Sequence, residues 1–145
     1  MSAHCAFFID GRWFALSAAT VTEFGRVSQI TPAPLSPPAV AGLINLRGQI
    51  VTVIDIRRYF GLQSGDPEKS IGIFFSHEEA RFCLLVDAVD DIIELDHNEF
   101  EAPPGNLAAE VRDVLVAVCK QPQHLLMIID PHRTIQAITP EASHP

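Results

Sequence analysis

The chain has 145 residues, of which 48% are hydrophobic and 19% are charged. A single domain with a substantial core is the natural expectation at this length, and so hydrophobic a composition excludes a disordered chain. The 18 acidic and 10 basic residues give a net charge of −8, which argues against a nucleic-acid partner, because phosphate binding needs clustered lysine and arginine.

Membrane and export signals are not predicted. No apolar run approaches the length of a spanning helix, and Met1 to His4 show no basic segment ahead of an apolar one. The three cysteines, Cys5, Cys83 and Cys119, are odd in number and far apart, so they are interpreted as reduced thiols of a cytoplasmic protein.

The first third of the chain predicts a hairpin and then a stiff loop. Residues 6–9 and 12–16 flank Asp10-Gly11, a strong signal for a two-residue turn. Ser17 is expected to cap a helical turn over residues 18–21, and residues 22–30 are expected to be extended. Four of the eleven prolines lie in residues 31–38, which excludes a central strand there.

A second hairpin follows, with residues 42–46 and 49–56 flanking Arg47-Gly48. Gly48 supplies the permissive turn position. A helical turn over 57–60 is expected to stop at Gly61, and the polar residues 63–70 predict an exposed, mobile loop.

The rest of the chain predicts further strands at residues 71–76, 81–89, 90–100, 114–119 and 125–129. Asp130-Pro131 is a helix opening, so a C-terminal helix is expected over 131–138. About nine or ten short strands without a βαβ rhythm predict an all-β barrel or sandwich.

Catalytic and metal-binding patterns are weak. The chain has no hydrolase elbow, no phosphate-binding glycine loop and no Cys-x-x-Cys, and its six histidines are scattered. No catalytic residue, metal ligand or cofactor is therefore predicted. Seven acidic residues lie between 87 and 101, but without the spacing of a calcium loop they favour a strand with one solvated acidic side.

Three segments carry a resemblance to a known family. Ile30-Thr31-Pro32-Ala33-Pro34, the stretch from Gly42-Leu43-Ile44-Asn45-Leu46-Arg47-Gly48 to Val51, and Val53-Ile54-Asp55-Ile56-Arg57 together resemble the signature of CheW-like proteins. The likeness extends upstream to Val21-Thr22-Glu23 and downstream to Leu85-Val86-Asp87-Ala88-Val89, and it covers about residues 6–138.

The resemblance implies a single domain over 1–145, made of two intertwined five-stranded SH3-like barrels around one shared core. It also implies a non-catalytic cytoplasmic adaptor of a bacterial chemosensory array. Such an adaptor couples the cytoplasmic tip of a methyl-accepting chemotaxis receptor to the regulatory domain of a CheA-type histidine kinase, with no nucleic acid and no membrane insertion.

The resemblance further implies a receptor- and kinase-facing interface at Val21, Glu23, Gly42 and Arg47. An apolar groove would receive a receptor helix, and Glu23 and Arg47 would provide polar anchoring. Each residue also has a plain structural interpretation. Val21 can be a core residue, Gly42 can permit a backbone bend, and Arg47 can be a solvated turn residue.

Other functions remain as alternatives. They are an adaptor of a non-flagellar chemosensory system such as pili-driven motility, a small β-barrel enzyme or ligand-binding module, and an isolated kinase-type regulatory module. Thr52, Phe24 and Gly25 depart from the usual family pattern and leave the choice of receptor undefined. Residues 47–58, with three arginines and one aspartate, predict a small basic pole on a different face from the acidic strip of 87–101.

Overall fold

The computed structural model describes residues 1–66 and 69–139 as a predominantly β protein. Its strands in these ranges are β1 Ser2–Ile9, β2 Arg12–Ser17, β3 Val21–Gly25, β4 Val40–Leu46, β5 Gln49–Asp55, β6 Ile71–His77, β7 Ala80–Val86, β8 Ala88–Leu95, β9 Phe100–Glu101, β10 Leu115–Lys120 and β11 Leu125–Ile129. The α-helices are short: α1 Ile56–Tyr59, α2 Ala109–Val114 and α3 Pro131–Ile138.

The strands form two mixed sheets, which confirms the predicted all-β class. One sheet has the order β8-β1-β2-β11-β10-β9, and the other has the order β3-β6-β7-β5-β4. The chain starts in the larger sheet, builds the smaller one with five consecutive strands, and then returns, so the two sheets are intertwined. The larger sheet has a sixth strand, the two-residue β9, beyond the five that the resemblance implied.

Within residues 1–66 and 69–139, three clusters of buried side chains form the interior. Val51, Val53 and Cys83 belong to a cluster of the smaller sheet, and Leu126 and Cys119 belong to a cluster of the larger one. The largest cluster takes side chains from both sheets and from the helices; among its fully buried members are Phe7, Phe14, Leu16, Ile54, Ile73, Leu84 and Leu115. Each sheet thus has its own interior, and a common core joins them.

Tight turns set the register of the hairpins. Asp10 and Gly11 have φ of 54° and 73°, and Arg47 and Gly48 have φ of 51° and 84°. Positive φ at both central residues is the type I′ geometry that matches the twist of the flanking strands, so both predicted hairpins are confirmed. The β6–β7 hairpin has the same kind of turn, built from Glu78 and Glu79 with φ of 49° and 69°.

The predictions for helical segments are correct in part. Helix α3 spans the predicted residues, and the Asp130 carboxylate caps it by accepting a hydrogen bond from the Arg133 amide at 2.9 Å. The predicted Ser17 cap is wrong. Residues 18–20 form a 3-10 turn without a side-chain cap, and the Thr20 hydroxyl donates to the Ser17 carbonyl instead.

One predicted strand starts too early. Val114 closes α2, and the strand begins at Leu115. Helix α2 was not predicted, because the sequence has no capping residue at its start. Ala108 is the N-cap, and it makes no side-chain cap hydrogen bond. Its two buried side chains, Val111 and Val114, form only one i, i+3 pair, which is too short a pattern to distinguish a helix.

The described part of the loop over 63–70 is exposed at Gln63, Ser64, Asp66 and Lys69, as predicted, but several contacts hold it. The Arg57 guanidinium donates to the Gln63 carbonyl at 2.8 Å, the Arg58 guanidinium donates to the Ser64 hydroxyl at 2.7 Å, and Ser70 is buried. The predicted mobility falls partly on Pro67 and Glu68, which lie outside the described residues.

Three of the seven acidic residues of the strip lie on β8, which is an edge strand of the larger sheet. Its ladder with β1 shifts register opposite Ala6, and Asp90, Asp91 and Glu94 are exposed. Charges and a bulge on an edge strand prevent pairing with another sheet, which gives the strip a structural role. No helix in the described ranges is long and apolar enough to cross a membrane.

Candidate functional site

The predicted site contains an ion pair that links the two outer strands of the smaller sheet. The Arg47 guanidinium, at the tip of the β4–β5 hairpin, donates a hydrogen bond to the Glu23 carboxylate on β3. Because β3 and β4 are the outer strands in this sheet, the contact indicates that the sheet curls into a barrel. A second link supports the closure: Thr31 and Leu43 exchange two backbone hydrogen bonds of 2.8 Å.

The hairpin tip has a costly conformation for an arginine. Asn45 stabilises the turn, since its side-chain oxygen accepts a hydrogen bond from the Gly48 amide at 2.8 Å. Arg47 has a left-handed backbone, which costs an L-residue about 1–2 kcal/mol. Its ion pair is exposed, with 68% of the Arg47 side chain accessible, and such a pair contributes about 0–1 kcal/mol. Stability alone therefore does not explain an arginine at this position.

Two exposed apolar side chains flank the ion pair in the sequence. Phe24 follows Glu23 and is 40% exposed, and Ile50, just beyond the hairpin tip, is 61% exposed. We call these four residues of β3 and the β4–β5 hairpin, Glu23, Phe24, Arg47 and Ile50, the tip surface. They include one charge of each sign and two exposed apolar side chains. The sequence did not predict Phe24 or Ile50 as binding residues.

Gly42 and Val21 have packing roles, in contrast to the exposed ion pair. Gly42 is buried in β4 with φ of +149°, and a Cβ atom there would lie 2.2 Å from the Thr31 carbonyl oxygen. Val21 is half-buried and packs against the common core. The structure therefore brings Glu23 and Arg47 together at the surface, whereas Gly42 and Val21 have packing partners of their own.

The predicted arginine pole is wrong, because each of its arginines has an acidic partner. Arg47 pairs with Glu23, Arg57 contacts Asp87 at 2.6 Å, and Arg58 lies 3.4 Å from the Asp55 carboxylate. Three separate ion pairs neutralise the positive charge that is clustered in the sequence. Asp87 is also withdrawn from the acidic strip, because its carboxylate accepts a hydrogen bond from the Asp10 amide.

An apolar cavity of about 470 Å³ lies between the proline-rich loop and α3. Pro37, Pro38 and Ile138 contribute to its wall, together with Arg58 and Tyr59. Burial and a 3.1 Å hydrogen bond to the Asp113 carboxylate raise the pKa of Tyr59 to about 12, so this phenol is protonated at neutral pH. The wall offers packing area rather than a nucleophile paired with a base.

Histidines that are scattered in the sequence meet in the structure. The rings of His77 and His132 approach to 3.1 Å between nitrogen atoms, although 55 positions separate them. His4 is buried near His97, with ring centroids 6.3 Å apart. Burial is the main cause that lowers the pKa of His4, which keeps it neutral. Neither pairing has a signal in residue spacing, because both depend on the arrangement of distant elements.

Comparisons with known proteins agree with this architecture. Residues 4–139 match the CheW-like domain family. The chain is 25% identical to the chemotaxis protein CheW of Bacillus subtilis over 140 residues, which covers 96% of this chain and 90% of the relative. It is 30% identical to the chemotaxis protein CheW of Rhizobium meliloti over 100 residues, covering 68% of this chain and 64% of the relative.

A solved structure shows the same fold. The crystal structure of scaffolding protein TtCheW from Thermoanaerobacter tengcongensis superposes with a TM-score of 0.80 at 28% identity, covering 90% of this chain and 84% of that one. The family match extends over nearly the whole chain and includes the ion-paired hairpin. The chain therefore belongs to the CheW-like domain family.

Proposed function

We propose that this protein is a non-catalytic adaptor that links the cytoplasmic tip of a methyl-accepting chemotaxis receptor to a CheA-type histidine kinase. The family match over residues 4–139 supports this function, as do relatives named chemotaxis protein CheW and a structural neighbour described as a scaffolding protein. Its partners would be proteins, so its surface has to provide binding area rather than reactive groups.

The tip surface is the proposed receptor-binding region. The observation that carries this assignment is Arg47, an exposed arginine in a left-handed turn conformation whose ion pair does not compensate for the backbone cost. Unfavourable backbone conformations are retained where function requires them. Glu23 and Arg47 can each bind an opposite charge on a receptor helix, which sets the orientation and register of the complex.

The apolar members of the tip surface would supply most of the affinity. Exposed Phe24 and Ile50 offer side chains that a partner can remove from water. Phe24 follows Glu23 on β3, and Ile50 lies two residues beyond Gly48 on β5. An amphipathic helix docks in this way, with apolar anchors in the centre and charged residues at the rim.

Gly42 and Val21 would support the tip surface without contacting the receptor. Gly42 lets β4 approach Thr31 closely, and this approach fixes the base of the hairpin that carries Arg47. Val21 anchors β3 on the common core two residues before Glu23. Both residues are therefore proposed to position the surface, and the ion pair is proposed to contact the receptor.

The variant Arg47→Glu tests the receptor-binding assignment. We expect its affinity for a receptor cytoplasmic fragment to fall by about tenfold or more, equivalent to ~1.4 kcal/mol, because the new charge repels both Glu23 and an acidic receptor group. Co-sedimentation with the receptor fragment measures the affinity, and a thermal melt verifies that the variant is folded.

Arg12→Glu is the matched control, because Arg12 is an exposed arginine next to the Asp10-Gly11 turn in the larger sheet. It imposes the same change in net charge away from the tip surface and should bind the receptor fragment as the parent does. Unchanged binding by Arg47→Glu, or an equal loss in both variants, would contradict the assignment.

A further inference from the structure

A group of three side chains that can ligate a metal, none of them a member of the tip surface, lies at the end of the smaller sheet. His77 is the last residue of β6, Glu78 follows it in the hairpin turn, and His132 lies in the first turn of α3. Each residue offers one nitrogen or carboxylate oxygen, and these three atoms lie within 4.8 Å of one another. The proposed adaptor function uses none of these residues.

The distances fit a tetrahedral metal ion. His77 Nε2 and His132 Nδ1 are 3.1 Å apart. Two nitrogens bound to Zn²⁺ at about 2.0–2.1 Å in tetrahedral geometry lie about 3.3 Å apart, so the separation of the two nitrogens fits. Each ring would turn so that its lone pair points at the shared ion instead of at the other nitrogen. The Glu78 carboxylate is 3.8 Å from His77 Nε2, and its side chain is 73% exposed, which leaves it free to close the remaining gap.

Ring orientation shows that the two histidines meet through their nitrogens and not by packing of their faces. The two ring centroids are 5.0 Å apart and the planes are tilted by 53°, so the rings do not stack. Their nitrogens point at each other instead. In the metal-free protein one ring N–H donates to the other ring's lone pair, and a metal ion would take the place of that proton after a change of tautomer.

The backbone around the site is well supported. His77 pairs with Ala80 in the β6–β7 ladder, and the Asp130 cap holds the first turn of α3. The carboxylates of Glu78, Glu79 and Asp130 flank the two histidines in the sequence, against one cation at Arg133, so the local charge favours a bound cation. Preorganised ligands on two elements lower the cost of binding.

We propose that His77, Glu78 and His132 form a binding site for a first-row divalent transition-metal ion such as Zn²⁺, with water completing the coordination. Two imidazoles and one carboxylate suit zinc and its neighbours, whereas Mg²⁺ and Ca²⁺ prefer oxygen ligands alone. The bound ion would join the β6–β7 hairpin of the smaller sheet to α3, the C-terminal helix. Metal binding would therefore stabilise the folded protein.

The test is a pair of measurements on the full chain after treatment with EDTA. Isothermal titration calorimetry with ZnCl2 on the folded protein is expected to show one saturable site, with the three buried thiols not contributing. Thermal melts are expected to rise by about 5–10 °C at a hundredfold excess of Zn²⁺ over the dissociation constant, and not with MgCl2 or CaCl2.

Three variants locate the site. His77→Gln and His132→Gln are expected to abolish the zinc-dependent shift, and Glu78→Gln is expected to weaken binding by about tenfold or more. His97→Gln is the control, because it removes a histidine elsewhere and should keep the full shift. Absence of a saturable zinc signal in the parent, or a shift that survives in either histidine variant, would overturn the site. Unchanged affinity in Glu78→Gln would overturn its three-ligand composition.

Discussion

Gly42 shows at the scale of one residue how a position in the family signature can act through shape. It is buried, its φ is +149°, and the Thr31 carbonyl occupies the space that a Cβ atom would need. Thr31 cannot withdraw without losing the two hydrogen bonds that it exchanges with Leu43. The sequence presented an interface role and a backbone role for Gly42 as equal alternatives, and the close approach supplies a physical reason for the backbone role.

Gly42→Ala is expected to lower the free energy of unfolding by about 2–3 kcal/mol, because the added methyl group meets backbone in a conformation that already disfavours L-residues. Urea denaturation followed by circular dichroism measures the change. Gly105→Ala is the control: nothing lies within 4 Å of its added Cβ, so a change within about 0.5 kcal/mol is expected. Equal stability of Gly42→Ala and the parent would contradict this explanation.

At the scale of elements, the hairpin that carries Arg47 has a turn type that the sequence predicts, but arginine is an unfavourable residue for the left-handed turn position that it occupies. Type I′ turns prefer Asn-Gly, and two-residue turns of this kind connect β4 to β5 and β6 to β7. Asn is absent from the first turn position in both, since Arg47 and Glu78 occupy it. The two hairpins can therefore be compared directly, since Arg47 belongs to the tip surface and Glu78 and Glu79 do not.

Arg47→Asn is expected to raise the free energy of unfolding by up to about 1 kcal/mol. Asparagine relieves most of the left-handed backbone cost of about 1–2 kcal/mol, and the lost exposed ion pair costs only about 0–1 kcal/mol. The receptor affinity should nevertheless fall, because asparagine cannot reach a partner's acidic group. Denaturation and co-sedimentation with the receptor fragment measure the two quantities.

Glu79→Gly is the companion variant in the other hairpin. It should raise the free energy of unfolding by about 0.5–1 kcal/mol, because Glu79 has φ of 69°, and it should leave the receptor affinity unchanged. Full receptor binding by Arg47→Asn would show that the arginine side chain makes no contact with the receptor.

Elements governed by local chemistry could be predicted from the sequence, and contacts between distant elements could not. The hairpins at Asp10-Gly11 and Arg47-Gly48 and the helix after Asp130 were correct because neighbouring residues determine turns and caps. The Glu23–Arg47 pair and the His77–His132 pair depend on strand order and helix docking, which periodicity does not reveal. The family resemblance identified Glu23 and Arg47 as a site without indicating that they contact each other.

At the scale of the whole molecule, the common core is the feature that would make the two sheets one folding unit. It contains buried side chains from both, such as Phe14 of β2 and Ile73 of β6, together with Ile135 of α3. Removing either sheet would expose these side chains to water, at a cost of about 1.5–3 kcal/mol for each large one. We therefore propose that the chain is a single cooperative domain.

Two probes test that cooperativity. Trp13, the single tryptophan, packs beside the cluster of the larger sheet, and Cys83 lies in the cluster of the smaller one. Burial raises the pKa of the Cys83 thiol to about 12, so the folded protein should resist thiol reagents. In a Cys5→Ala, Cys119→Ala background, Trp13 fluorescence and Cys83 labelling should change at the same urea concentration. Labelling at a lower concentration would show that the smaller sheet unfolds separately.

Charge at the molecular scale is distributed in ion pairs and one exposed edge. The net charge of −8 includes Asp90, Asp91 and Glu94 on the outer strand β8, while Arg47, Arg57 and Arg58 are each paired with acids. The protein therefore presents an acidic edge on the larger sheet and a mixed-charge tip surface on the smaller one.

The central claim is that the chain couples a receptor to a kinase, and reconstitution tests it most directly. Receptor cytoplasmic fragments, a CheA-type kinase and labelled ATP are combined with and without the chain, and kinase phosphorylation is measured. Receptor control of phosphorylation should require the parent chain, fail with Arg47→Glu and persist with Arg12→Glu. The same receptor control in the absence of the chain, or none in the presence of the folded parent, would contradict the proposed function.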